Sequence, residues 1–215
     1  MKFGGKFWDF MGRIADMILL SLLWLLTSIP IITLPLSTIA AYYTAAKCIR
    51  HGIGKIGQEY FRAFRENLKQ GLILGLIYAL IAAVLLGIRY YVSLVGIAKD
   101  NLGGVYYVFV IVAVLVLAAF SFYLFPVIAR FRLSLFSAFR LSIYLGCHNL
   151  PTMIPMLITF AGAIALIYMI PVFIIFVPGG YAYLMTKSVE KALRKYIRTL
   201  PDAASHEGMW YMDEE

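Results

Sequence analysis

Cys48 and His51 stand three residues apart, on one side of a helix, and Cys147 and His148 are neighbours in the chain. Four soft ligands of this kind could hold zinc only if all converged to within about 2.0–2.3 Å of one ion. Isolated cysteines and histidines in apolar helices ordinarily just pack, so the expectation is no metal site and no cofactor. Two cysteines are also too few for a disulfide framework. Gly52, Gly54 and Gly57 lack the Lys-Ser/Thr ending and the strand–helix setting of a phosphate-binding loop. Catalysis inside a bilayer draws on ionisable groups at depth, which are costly there and usually functional. Asp16 and Arg89 are the charges nearest the apolar runs, and Arg89 sits where it can snorkel to the interface. The chain therefore reads as a protein that is not an enzyme, with no catalytic residues to name.

Composition sets the elements that position these groups. Of 215 residues, 62% are apolar and 14% charged, with a mean hydropathy of +0.85. Soluble domains run at roughly 45–50% apolar and 25% charged. Runs without Lys, Arg, Asp or Glu cover residues 17–46, 71–88, 101–129 and 141–186. About 20 apolar residues suffice to cross ~30 Å of hydrocarbon. The predicted fold is all-α, a polytopic transmembrane helical bundle in contact with the lipid bilayer. Residues 1–198 are expected to form one transmembrane domain, and residues 199–215 an acidic tail. The formal charge of +8 does not point to nucleic acid, because the basic residues flank the spans.

Seventeen of the nineteen Lys and Arg fall in four clusters, within 2–13, 47–69, 130–140 and 187–198. The positive-inside rule assigns all four clusters, and with them both termini, to the cytoplasmic side. Segments 17–46 and 141–186 must then each cross an even number of times. Pro30 and Pro35 interrupt the first, and Pro171 and Pro178 interrupt the last, by removing donors and disfavouring helix before them. This predicts three helical hairpins and about six crossings. The first runs out to Ile29 and back over 36–50, the second pairs 71–91 with 105–129, and the third pairs 152–170 with 181–198. Four long spans with proline kinks are the alternative, and they strand a basic cluster outside. The breaks at Pro30, Pro35, Pro171 and Pro178, with Trp24 beside the first, read as structural hairpin tips toward the outer surface.

The two cytoplasmic connectors share Phe-x-Ala-Phe-Arg, as Phe61–Arg65 and as Phe136–Arg140. In the first, Ile56, Tyr60, Phe64 and Leu68 recur every four residues and draw one apolar stripe along a helix. Such helices can lie in the headgroup zone with phenylalanines down and arginines toward lipid phosphate. The second reading is that Phe61, Phe64, Arg65, Phe136, Phe139 and Arg140 form a docking surface for another protein.

The segments Trp24-Leu25-Leu26-Thr27-Ser28-Ile29-Pro30-Ile31-Ile32-Thr33, Ala41-Tyr42-Tyr43 and Phe61-x-x-Phe64-Arg65-x-Asn67-x-x-Gln70 resemble the YesL-like family of bacterial integral membrane proteins. Ser21 stands where that family favours Asn, and Leu34-Pro35 where Gly is common. The resemblance implies a multi-pass protein of the bacterial plasma membrane. It also implies a link to carbohydrate uptake, since such proteins are typically encoded beside sugar ABC importers and glycoside hydrolases. It brings no catalytic residues. The leading expectation is thus an accessory protein that binds or regulates a sugar ABC importer through its permease subunits, or another membrane complex, with homo-oligomers also open. The alternative is a stand-alone small transporter or channel for a small solute, its polar cavity lined by groups such as Ser21, Thr27, Ser28 and Tyr42. A sensor that works through residues 199–215 is a third reading. There, Met209-Trp210-Tyr211-Met212 lies among five acids and reads either as a docking segment or as a flexible terminus.

Overall fold

The computed structural model describes residues 6–94, 101–131 and 133–197. Among them every regular element is helical, and the chain is a helical membrane bundle as its composition requires. α1 (Lys6–Thr27) stops before Ser28-Ile29-Pro30, since the residue ahead of a proline disfavours helix. A 3-10 turn (Ile31–Thr33) follows, closed where the Thr33 hydroxyl donates to Thr27 O at 2.6 Å. α2 (Leu34–Thr44) carries Pro35 in its first turn, where a missing N–H leaves no bond unmade. It runs on as a π-helical turn (Ala45–Arg50), and Gly52 and Gly54, at φ +68° and +88°, turn the chain back. Then come α3 (Ile56–Glu66), α4 (Leu68–Leu94), α5 (Asn101–Arg130), α6 (Leu135–His148) and α7 (Leu150–Met169). A second 3-10 turn (Pro171–Ile175) leads into α8 (Val177–Ile197), whose second residue is Pro178.

Among the described residues, four helices are long and apolar enough to cross a membrane: Phe10–Thr27, Leu68–Val92, Tyr106–Arg130 and Pro151–Met169. Their outer sides expose Leu80, Val84, Val108, Val116 and Ile158, surface that suits lipid and not water. The six crossings read from the charge pattern would need two more. α2 and its π turn are eleven and six residues long, and α8 carries Lys187, Glu190, Lys191, Arg194 and Lys195.

α2 is the hub. Pro35, Leu36, Ser37, Ile39, Ala40, Ala41, Tyr42 and Thr44 are all buried. Ile39 and Tyr42 join one core with Leu74 of α4, Phe122–Ile128 of α5, Leu141 and Leu145 of α6, and Val189 and Leu193 of α8. Ala40, Ala41 and Ala45 join the other, with Leu20 of α1 and Ile56, Tyr60 and Ala63 of α3. Small side chains here let backbones approach closely, which is how helices pack where lipid supplies no hydrophobic drive.

The register of α2 locates the first proline turn. Lys47 pairs with Glu59 at 2.9 Å, Arg62 reaches Tyr43 at 2.8 Å, and Leu36 and Ile32 meet Gly71 and Gly75. α2 therefore runs antiparallel to α3 and to the start of α4. Ile32 sits beside Gly75, about 10 Å along α4 from Leu68 at 1.5 Å per residue. The sequence reading carries this turn to the outer surface. The Gly75 contact instead seats it within the first third of α4, with Ile29, Ile31 and Ile32 exposed at the tip.

A Cβ on Gly75 would collide with Ile32 O, and one on Gly179 with Met17 O, both backbone atoms that have no rotamer to yield. Gly87 lies in the same helix as Gly75 with nothing within 4 Å of a Cβ. Gly75→Ala is expected to cost about 1–3 kcal/mol, as overpacking does, and Gly87→Ala to be near neutral. Thermal unfolding of both variants in detergent measures the difference; equal midpoints would mean that the hairpin is not seated on Gly75.

Candidate functional site

The two Phe-x-Ala-Phe-Arg helices adopt the same environment position by position. Phe61 and Phe136 are exposed, Ala63 and Ala138 buried, Phe64 and Phe139 half-buried, and Arg65 and Arg140 exposed. Both helices end at an asparagine that bonds its own helix. Asn67 Nδ2 donates to Ala63 O at 2.8 Å and Asn149 Nδ2 to Leu145 O at 3.1 Å, and an apolar span begins at the next residue. An Asn favours such a break because its side chain competes for backbone partners. Gln70 at the start of α4 donates to Leu133 O just before α6, at 2.7 Å, and ties the two connectors together.

Of the six residues expected to dock a partner, four face outward. Phe136 is 73% exposed and Phe61 41%, and the Arg140 guanidinium lies 6.0 Å from the Phe136 ring centroid, within cation–π range. The other two are used inside the bundle. Phe64 stacks on Tyr60 and Phe139 on Phe120, with ring centroids 6.3 and 5.1 Å apart. The structure also redirects the apolar stripe of α3. Ile56 and Tyr60 pack on α1 and α2 and not on headgroups, because Thr27 and Ser37 supply partners there. The Tyr60 hydroxyl is 2.6 Å from Thr27 Oγ1 and 3.5 Å from Ser37 O. Burial pushes the Tyr60 phenol above its usual pKa, so it stays neutral.

A buried charge centre escaped the sequence reading. Glu190 is 1% exposed and the Arg130 side chain 5%. Glu190 Oε1 accepts from both Arg130 Nε and Nη2 and from the Tyr42 hydroxyl at 2.8 Å. Asp16 and Arg89 are thus not the only charges close to the spans. The signal was there: Glu190 is the one acid in α8 and falls on the stripe of Ala182, Thr186, Val189, Leu193 and Ile197. Arg130 is the one charge in α5. A second charged group links Lys47, Glu59 and Arg62, with Glu59 at 2.9 and 2.6 Å from the two cations. Arg50 donates to Thr186 O at 3.0 Å.

Three of the four polar groups offered as a cavity lining are spent between helices, and the fourth, the Ser28 hydroxyl, is buried without a hydrogen-bond partner. Ser21 Oγ accepts from Gly179 N at 2.8 Å and donates toward Met17 O and Phe176 O, joining α1 to α8. Thr27 reaches Tyr60, Tyr42 reaches Glu190, and Trp24 Nε1 donates to Thr38 Oγ1 at 3.1 Å across the first turn. Cys48 is buried, Cys147 is exposed, and the His148 ring lies flat on Tyr144. Among the described residues no three His, Cys, Asp or Glu side chains come together as metal ligands.

A family model described as a protein of unknown function, DUF624, matches residues 17–87, from the middle of α1 through most of α4. The match is consistent with the YesL-like resemblance and covers α2, the first connector and the Gly75 seat. No curated protein and no solved structure matches the chain.

Removing one partner of a buried ion pair strands the other, at about 3–5 kcal/mol, whereas an apolar replacement of both is often neutral. Glu190→Leu should therefore unfold at markedly lower temperature than the parent, and Arg130→Met with Glu190→Leu should recover much of the loss. A double-mutant cycle on detergent-purified protein reads this coupling. Additive losses would show that the two residues do not act as a pair.

Proposed function

We propose that the protein is a non-catalytic accessory subunit that presents its two Phe/Arg helices to a membrane complex engaged in carbohydrate uptake, through the permease subunits of a sugar ABC importer. The observation that carries the docking part is the matched exposure of Phe61 and Arg65 on α3 and of Phe136 and Arg140 on α6. Exposed phenylalanine is costly to leave in water, and aromatic residues and arginine are the types enriched at interfaces. The carbohydrate part rests on the YesL-like resemblance alone. The orientation follows from charge: the basic clusters around α3, α6 and the end of α8 favour the cytoplasmic side of a bacterial plasma membrane, with both termini on that side. The hairpin tip seated at Gly75 then enters the bilayer from the cytoplasmic face.

A stand-alone carrier or channel is the second reading, and the buried Arg130–Glu190 pair is what favours it, since intramembrane charges commonly mark transport paths. Against it, Ser21, Thr27 and Tyr42 are engaged between helices.

Co-purification in mild detergent separates the two. The parent should bring down sugar-importer permease subunits, and Phe61→Ala with Phe136→Ala should lower their recovery about fivefold or more, as loss of interface anchors does. A clean monomer whose deletion leaves sugar uptake unchanged would sink the accessory reading. Solute flux into liposomes holding this protein alone would establish the carrier in its place.

A further inference from the structure

α6 carries an exposed stripe. Phe136, Arg140 and Tyr144 succeed one another every four residues along it, and Cys147 is exposed one turn further on. α6 contains no acid to neutralise Arg140. The last turn of α8 ends against the same helix, where the Tyr196 and Tyr144 rings stand 6.2 Å apart. The described end of α8, at Ile197, is thus beside the stripe, and the helix carries exposed Lys191 and Lys195 close to it.

The C-terminal segment is complementary to that surface. Residues 199–215 lie outside the described residues, and their sequence holds five acids and no Lys or Arg. Within them Met209-Trp210-Tyr211-Met212 is succeeded by Asp213, Glu214 and Glu215. Eleven residues lie between Ile197 and Met209, enough for about 40 Å of extended chain, while α6 is only about 21 Å long. Length does not limit the contact.

We infer that residues 199–215 dock in cis on α6, with the Met-Trp-Tyr-Met cluster over Phe136 and Tyr144 and the last three acids against Arg140. The aromatic rings cover apolar surface, and the carboxylates supply the counter-charge that α6 lacks. This goes beyond the partner reading and does not require it. If that reading also holds, the segment competes with the partner for Phe136 and Arg140.

Cys147 provides the probe, since Cys48 is buried. Full-length Met209→Cys and Met212→Cys proteins, purified alone and reconstituted in nanodiscs, are oxidised with copper–phenanthroline. An intrachain disulfide to Cys147 is expected, seen as a faster band on non-reducing gels, reversed by reductant and lost in Cys147→Ser. Arg140→Glu should slow its formation about three- to fivefold, the weight of an exposed charge pair. Raising salt toward 1 M, where the Debye length falls to about 3 Å, should slow it as well. Three results would overturn the proposal. A disulfide-linked dimer would mean that a second copy covers the stripe. No crosslink, with a Cys147 label quenched by spin-labelled lipid, would mean that the bilayer does. A crosslink indifferent to Arg140→Glu and to salt would mean random collision. No partner is present, so neither this test nor the co-purification decides the other.

Discussion

One carboxylate holds three helices of the bundle together. Glu190 on α8 takes hydrogen bonds from Tyr42 on α2 and Arg130 on α5, in a site closed to solvent. An ion pair removed from water must satisfy its remaining lone pairs or lose more in desolvation than it gains in attraction. The Tyr42 hydroxyl meets that need, and in doing so fixes α2 in depth and rotation against the two helices beside it. The remaining packing depends on α2. Its alanines set the approach of α1 and α3, and its start lies against Gly71 and Gly75. The short helix that the prolines cut from a long apolar run is therefore the element around which the others are arranged.

The upper parts of α4, α5 and α7 are different in kind. They bury little and expose branched aliphatic side chains, which is what lipid-facing helices do. Polar order is concentrated at the basic end, in the Glu190 centre, the Lys47–Glu59–Arg62 group and the Gln70 link between connectors. Both Phe/Arg helices stand at that end, each hinged to a span by an asparagine. The repeated five-residue motif is thus a repeated piece of structure: the inner Ala lets the helix sit close, the second Phe packs, and the first Phe and the Arg point outward.

Much of this was legible in the order of residues. The helical membrane class follows from apolar runs longer than the hydrocarbon is thick, and the two interrupted hairpins follow from prolines that end helices through their own covalent geometry. The connectors show in the four-residue recurrence of Ile56, Tyr60 and Phe64. Other features were beyond local pattern. The stripe of α3 is apolar whether it faces lipid, a partner or its own chain, and only the positions of Thr27 and Ser37 turn it inward. Glu190 looks like one more charge in a basic helix until its place among Thr186, Val189 and Leu193 is weighed.

Class, turns and amphipathic faces are properties of neighbours in the chain, carried by steric limits and by hydrophobicity read over a few turns. Those the sequence settles on its own. The depth of the first proline turn, the inward face of α3 and the Glu190 centre bring together residues up to 148 positions apart. Such contacts depend on how whole helices pack, where one Gly or one carboxylate selects among several arrangements that the same apolar pattern allows.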